Sequence, residues 1–171
     1  MLVVMDVSLP TFPCVYPFVH GFGDFEKSAD NNSFPAMFDL VSSPASTTLL
    51  LQFHASHKLI SGICHGPATF SRLVLPGTNT YLLAGHKVTG ISNTEIEMLK
   101  EASGVEEPFS VEDELRKATY GRYVKAEKPF EGKVVVSKVD GRVVVTGQNP
   151  GSGLGLGKAI YEALFDKAYE E

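Results

Sequence analysis

Residues 59–73, LISGICHGPATFSRL, set Cys64 and His65 side by side between Gly62 and Gly66, where an apolar run of strand length meets a helix-like one. Gly62-Ile63-Cys64-His65-Gly66 has the G-x-C-x-G form of a nucleophile elbow, in which small flanking residues allow a sharp strand-to-helix turn that presents the middle side chain at the sheet edge. At the start of a helix, unpaired N–H groups and the helix dipole favour thiolate over thiol, and the same groups can hold an oxyanion. A lone cysteine usually packs as a small inert hydrophobe; the elbow context points instead to a reactive Cys64. His65 can relay a proton to or from a bound carbonyl if a carboxylate orients its ring. The spacing of the chain does not name that carboxylate.

Other chemistry-bearing residues form weaker patterns. His54 and His57 lie three apart on an expected helix, but two ligands without a third do not make a metal site. Cys14 sits among prolines and aromatics and reads as incidental. Residues 151–158, GSGLGLGK, have neither the Walker spacing nor the G-x-G-x-x-G pattern, and fit a flexible helix entry better than a nucleotide loop. No metal and no cofactor is expected.

The elements that must position the cysteine are legible after residue 40. Ser43 as cap, Pro44 in the first turn and an apolar stripe of Leu49, Leu50 and Phe53 predict a helix over about 44–57. LISGIC is a strand, and GPATFSRLVL is expected to continue as a helix with Pro67 in its first turn. YLLAGHKVTG predicts one or two short strands. Ser92-Asn-Thr-Glu95 is a capping box opening a helix to about 102, stopped by Gly104, and Ser110 with Asp113 repeats the pattern ahead of VEDELRKAT. Two valine-rich runs around Asp140-Gly141 predict a hairpin with a type I′ turn. The last helix, GKAIYEALFDKAYEE, repeats Ile160, Leu164 and Ala168 at helical spacing. Alternating helices and strands argue for an α/β sandwich around a mostly parallel sheet. Residues 1–35 show neither period beyond a strand-like LVVMDV, and a loop of that length within a compact domain is abnormal.

With 171 residues, 43% hydrophobic, the chain suits a single domain spanning 1–171. Net charge is −5, and residues 95–114 carry eight carboxylates against Lys100 alone, a run read as the solvated side of two helices. Without a basic patch, nucleic acid is excluded as a partner. No apolar run has the length of a membrane span, so no membrane association is expected. MLVVMDVSLP lacks the basic start and cleavage site of a signal peptide, so a cytoplasmic location is expected, where a cysteine is a thiol rather than half a disulfide.

Five ordered blocks, AMFDL (36–40), GICHGPATF, AGHKVTGISN, PFSVEDEL and VVVTGQNPGS, resemble those of the PfpI/ThiJ superfamily, the class I glutamine amidotransferase-like fold. Within it they are most similar to the chaperone-like branch that includes glutathione-independent glyoxalases. The resemblance covers about residues 36–165. It implies a flavodoxin-like three-layer sandwich, a homodimer, Cys64 as nucleophile and His65 as its proton-transfer partner. It further implies a lyase (hydro-lyase) of D-lactate dehydratase type that detoxifies methylglyoxal, a small aldehyde, to D-lactate in a stress response. Hydrolase or amidotransferase chemistry on the same elbow, or a non-catalytic redox-sensing chaperone-like role, are the alternatives. The chain departs from the family where Asn32, Ser33, Phe34 and Pro35 replace a glycine-rich GGHG, so the N-terminal part is expected to be divergent or incomplete. The family's glutamate against the cysteine sulfur has no recognisable counterpart, with Asp6 and Glu26 as candidates. The acidic residue after the KVTG block falls at Ile96, between Glu95 and Glu97; Glu95 is taken as the third catalytic residue, although it is also the capping partner of Ser92.

Overall fold

A computed structural model describes residues 2–6, 14–16, 37–104 and 106–165. The elements are β1 (Leu2–Asp6), β2 (Cys14–Tyr16), α1 (Met37–Ser42), α2 (Pro44–Ala55), β3 (Ile60–Ile63), α3 (Ala68–Ser71), α4 (Asn93–Ser103), α5 (Val111–Ala118), β4 (Val134–Val139), β5 (Arg142–Gly147) and α6 (Gly153–Phe165), the last entered through a 3₁₀ turn at Pro150–Ser152. The strands form one sheet in the order β2-β1-β3-β5-β4. Its parallel pairing is β3 with β5, which sets Gly62 opposite Thr146 and Ile63 opposite Gly147; β1–β2, β1–β3 and β4–β5 are antiparallel. The sheet is therefore mixed, with the parallel pair at its centre.

Alternation along the two central strands builds a layer on each face. Ile60 and Val144 face a large core with Leu50 and Phe53 of α2, Phe70 of α3 and Leu115 of α5. Leu59 and Val145 face the other way, onto Leu156, Ala159 and Ile160 of α6. The architecture is an α/β sandwich, helices on both sides of one sheet.

Local chemistry explains most element ends. The Ser43 hydroxyl accepts the Ser46 N–H and Pro44 occupies the first turn of α2. Ser92 and Glu95 form the reciprocal capping box of α4, which ends on Gly104 at φ 71°. Asp140 (φ 49°) and Gly141 (φ 73°) both take the left-handed conformation that a type I′ hairpin demands. GSGLGLGK lies in the 3₁₀ turn and the first turns of α6, while Ala168 lies outside the described residues.

Two expectations fail in the segment after the cysteine. The helix expected through residue 75 is only the four-residue α3, because Pro76 lacks an N–H and forces Leu75 away from helical geometry. The chain then reverses, with the Leu82 N–H donating to the Leu73 carbonyl at 2.8 Å. YLLAGHKVTG forms no strand: it turns at Ala84 and His86 and contributes only the isolated bridges Val74–Tyr81 and Val88–Tyr123.

Candidate active site

Cys64 follows the last residue of β3 at φ 60°, a conformation that costs a non-glycine residue of order 1–3 kcal/mol and therefore needs support from its surroundings. That support is visible on both sides of the peptide. The Cys64 N–H donates to the Gly147 carbonyl at 2.9 Å, and its own carbonyl accepts the Ile91 N–H at 3.0 Å. The Gly66 N–H closes the turn onto the Ile63 carbonyl at 2.9 Å. Gly62 lets the chain fold back this tightly, since a methyl group there would lie 2.9 Å from the Pro67 nitrogen. This is the strand–turn geometry of a nucleophile elbow.

The helix start supplies less than its sequence suggests. Pro67 has no N–H, and the N–H groups of Gly66, Ala68 and Thr69 are taken up by the carbonyls of Ile63, His65 and Gly66. A four-residue helix adds little dipole, so the positive charge next to the sulfur comes from a side chain.

That side chain is His65. Its Nδ1 lies 3.3 Å from Cys64 Sγ, and its Nε2 hydrogen-bonds to Oε1 of Glu107. Both members of the latter pair are about nine-tenths buried. Burial alone pulls the imidazole pKa down, but the hydrogen bonds to Cys64 and Glu107, and the negative charge of both, more than reverse this and raise it to about 9. At neutral pH His65 is then an imidazolium with both ring nitrogens donating.

Glu107 is the residue that the sequence did not single out. It stands on the irregular connection between α4 and α5, 42 residues beyond His65, within the acidic run. That run is not simply a solvated face: Glu95 is fully buried, and Glu112 is 3% exposed while accepting the Asn93 N–H and pairing with Arg116 and Lys125. The one local signal at Glu107 is Pro108, which confines the preceding residue to an extended backbone. A cleft of about 380 Å³ opens beside Glu107, lined among others by Ile96, Glu97 and Phe109.

Glu95 is not brought to the cysteine and histidine. Its carboxylate accepts from the Ser92 N–H and hydroxyl (2.8 and 2.7 Å), the Phe130 N–H (2.9 Å), Gln148 Nε2 (3.0 Å) and Asn149 Nδ2 (2.7 Å). Burial pushes its pKa up, yet these donors win and hold it below the usual carboxylate range. In this arrangement Glu95 staples the start of α4 to the end of β5. Ile96, where the family resemblance places an acid, packs partly buried against the main core. Glu97 is exposed on the rim of the cleft. Glu26 and the side chains of Asp6 and Cys14 lie outside the described residues, as do Asn32 to Pro35. His54 is buried and His57 exposed, and among the described residues no three His, Cys, Asp or Glu side chains are grouped to hold a metal ion. No helix among them is long and apolar enough to cross a membrane.

No protein-family model matches the chain. It is similar to glyoxalase 3 of Candida albicans, 28% identical over 117 residues that cover 62% of this chain and 44% of that protein. Among solved structures, the 24 kDa rapid encystment protein of Francisella tularensis superposes with a TM-score of 0.62 at 29% identity, covering 77% of this chain and 54% of that one. Glyoxalase III of Candida albicans superposes at 0.59 with 24% identity, covering 77% and 53%. The chain spans about half the length of the proteins it matches.

Proposed function

Since the chain is of the PfpI/ThiJ superfamily, glyoxalases included, by sequence and by fold, we propose that it is a cofactor-free cysteine enzyme of glyoxalase III type that converts methylglyoxal to D-lactate. The observation that carries this reading is the supported left-handed Cys64, its sulfur in contact with a histidine that Glu107 holds from behind.

The sulfur adds to the aldehyde carbon, and the imidazolium of His65 supplies the proton that the carbonyl oxygen takes up. Once sulfur is bonded to carbon, the hydrogen bond and negative charge it lent to His65 are gone, so the ring that has given up its proton is held less strongly in the charged form and stays neutral, free to accept a proton from the substrate. Neutral His65 then moves a proton from the former aldehyde carbon to the adjacent one by way of an enediol, leaving a lactoyl thioester. Water cleaves the thioester, releasing lactate and restoring the thiol. The sum is methylglyoxal plus water to lactate and a proton, with no net redox change and no cofactor.

The test is incubation with methylglyoxal without glutathione, followed by chiral assay of lactate for the natural chain and Cys64→Ala. D-lactate from the first and none from the second is expected; equal yields from both, or none from either, end the proposal. Release of ammonia from amides by the natural chain, with no lactate formed, would instead assign the same sulfur to amide chemistry.

A further inference from the structure

Glu107 reaches His65 from a connection without regular structure, so something must hold that connection if the carboxylate is to hold the ring. Among the described residues the carboxylate is not steered from its far side, since Oε2 is buried with no hydrogen-bond partner there. Its place is therefore set by the backbone that carries it. Pro108 restrains that backbone on one side. Further on, Ser110 caps α5 and donates its hydroxyl to Asn93 Oδ1 at 2.6 Å.

Between these two restraints stands Phe109, packed partly buried against the main core. The guanidinium of Arg72 lies over its ring, 3.8 Å from the centroid. Arg72 is itself held by Glu114 of α5, with Nη2 donating to Oε1 at 2.9 Å. Arg72 closes α3, the short helix that the cysteine elbow leads into. It thus ties the segment that carries Cys64 and His65 to the connection that carries Glu107.

We propose that Arg72 is a positioning residue for the Cys64–His65–Glu107 group: oriented by Glu114 and stacked on Phe109, it fixes the 106–110 connection so that Glu107 stays on His65. This rests on the cysteine-enzyme reading above and adds to it a residue that touches neither the sulfur nor the imidazole.

Charge and position act on His65 in opposite directions, which makes the proposal separable from a plain electrostatic effect. Loss of a nearby cation raises an imidazole pKa; loss of a hydrogen-bonded carboxylate lowers it. The experiment uses the full chain as Arg72→Gln, Arg72→Lys and Glu114→Gln, with Lys117→Gln as the control because that ammonium lies 6.0 Å from the Tyr81 ring, away from the connection. The first readout is the His65 imidazole titration by NMR, with urea midpoints confirming that each variant is folded; the second is steady-state lactate formation.

In Arg72→Gln the His65 midpoint should fall by about one unit or more from its value near 9, with kcat reduced about tenfold and KM unchanged. Arg72→Lys keeps the charge without the planar stack and should fall between, Glu114→Gln should move the same way by less, and Lys117→Gln should move neither. If Arg72→Gln is too unstable to measure, Phe109→Leu removes the ring from under the guanidinium and carries the same expectation. An unchanged or raised midpoint in the folded variant overturns the proposal. The titration needs no turnover, so a lowered midpoint in a chain that forms no lactate leaves Arg72 in its role and removes only the reaction assigned to the site.

Discussion

Two histidines, one near each end of the central strands, show how differently the same ring is used. His65 stands at the cysteine end between a sulfur and a carboxylate, and its pKa is raised to about 9. His86 stands toward the hairpin end, 1% exposed, its Nδ1 3.1 Å from the Ser137 hydroxyl. Burial, then His54 and Arg142, outweigh the opposing effects of Ser137 and Asp140 and lower it to about 4. Burial pulls both rings toward neutrality; the sign of the neighbouring charges decides the outcome. The hairpin end keeps a neutral ring as a packing and hydrogen-bonding group. The cysteine end keeps a charged one, which is the form that can give up a proton.

The sharpest way to break this contrast is Glu107→Gln. It should lower the His65 titration and reduce kcat by about 10²- to 10⁴-fold, the usual worth of a positioned acid–base group, while His86 titrates as before. A variant with normal kcat would show that the carboxylate is a bystander. Glu95→Ala should do the reverse, since it orphans buried donors from Ser92, Phe130, Gln148 and Asn149. We expect about 3 kcal/mol lost from the urea-unfolding free energy, with His65 still titrating high. Full stability together with lost activity would return Glu95 to the catalytic role that its sequence position suggested.

The two histidines also set opposite pH limbs of stability. His86 binds its proton more weakly folded than unfolded, so its contribution is complete above pH 6.5 and is lost as pH falls from 6.5 toward 4. His65 binds its proton more tightly folded, so its contribution is complete below 6.5 and is lost as pH rises toward 9. Each limb should slope by at most about 1.4 kcal/mol per pH unit, measured by urea midpoints at a series of pH values. His86→Leu should flatten the acid limb alone and His65→Gln the alkaline limb alone; a shared effect would mean that the two ends are coupled. The smallest effect belongs to Gly141→Ala. At φ 73°, and with His57 Nδ1 3.2 Å from the added methyl, it should cost about 1–2 kcal/mol yet leave the rate of Cys64 alkylation by iodoacetamide unchanged.

What the chain's order alone determined is whatever depends on near neighbours. The capping box of Ser92 and Glu95, the stop at Gly104, the Asp140-Gly141 turn and the Gly62-to-Gly66 elbow are each written within a few residues, because dihedral preferences and short hydrogen bonds act over that range. The length of α3 is not legible for the same reason, since helical spacing continues past Arg72 while Pro76 and the hydrogen bond of Leu73 with Leu82 stop the helix. Only the tertiary structure assigned the carboxylates. Glu95 and Glu107 lie in one acidic run, and the capping box that marks Glu95 locally does not exclude it from the cysteine; in the fold Glu95 meets five donors and becomes a staple, whereas Glu107 meets an imidazole that also holds a sulfur. A carboxylate takes its role from the donors around it, and beyond the neighbouring Ser92 those donors come from residues 35 to 54 positions away for Glu95 and 42 for Glu107.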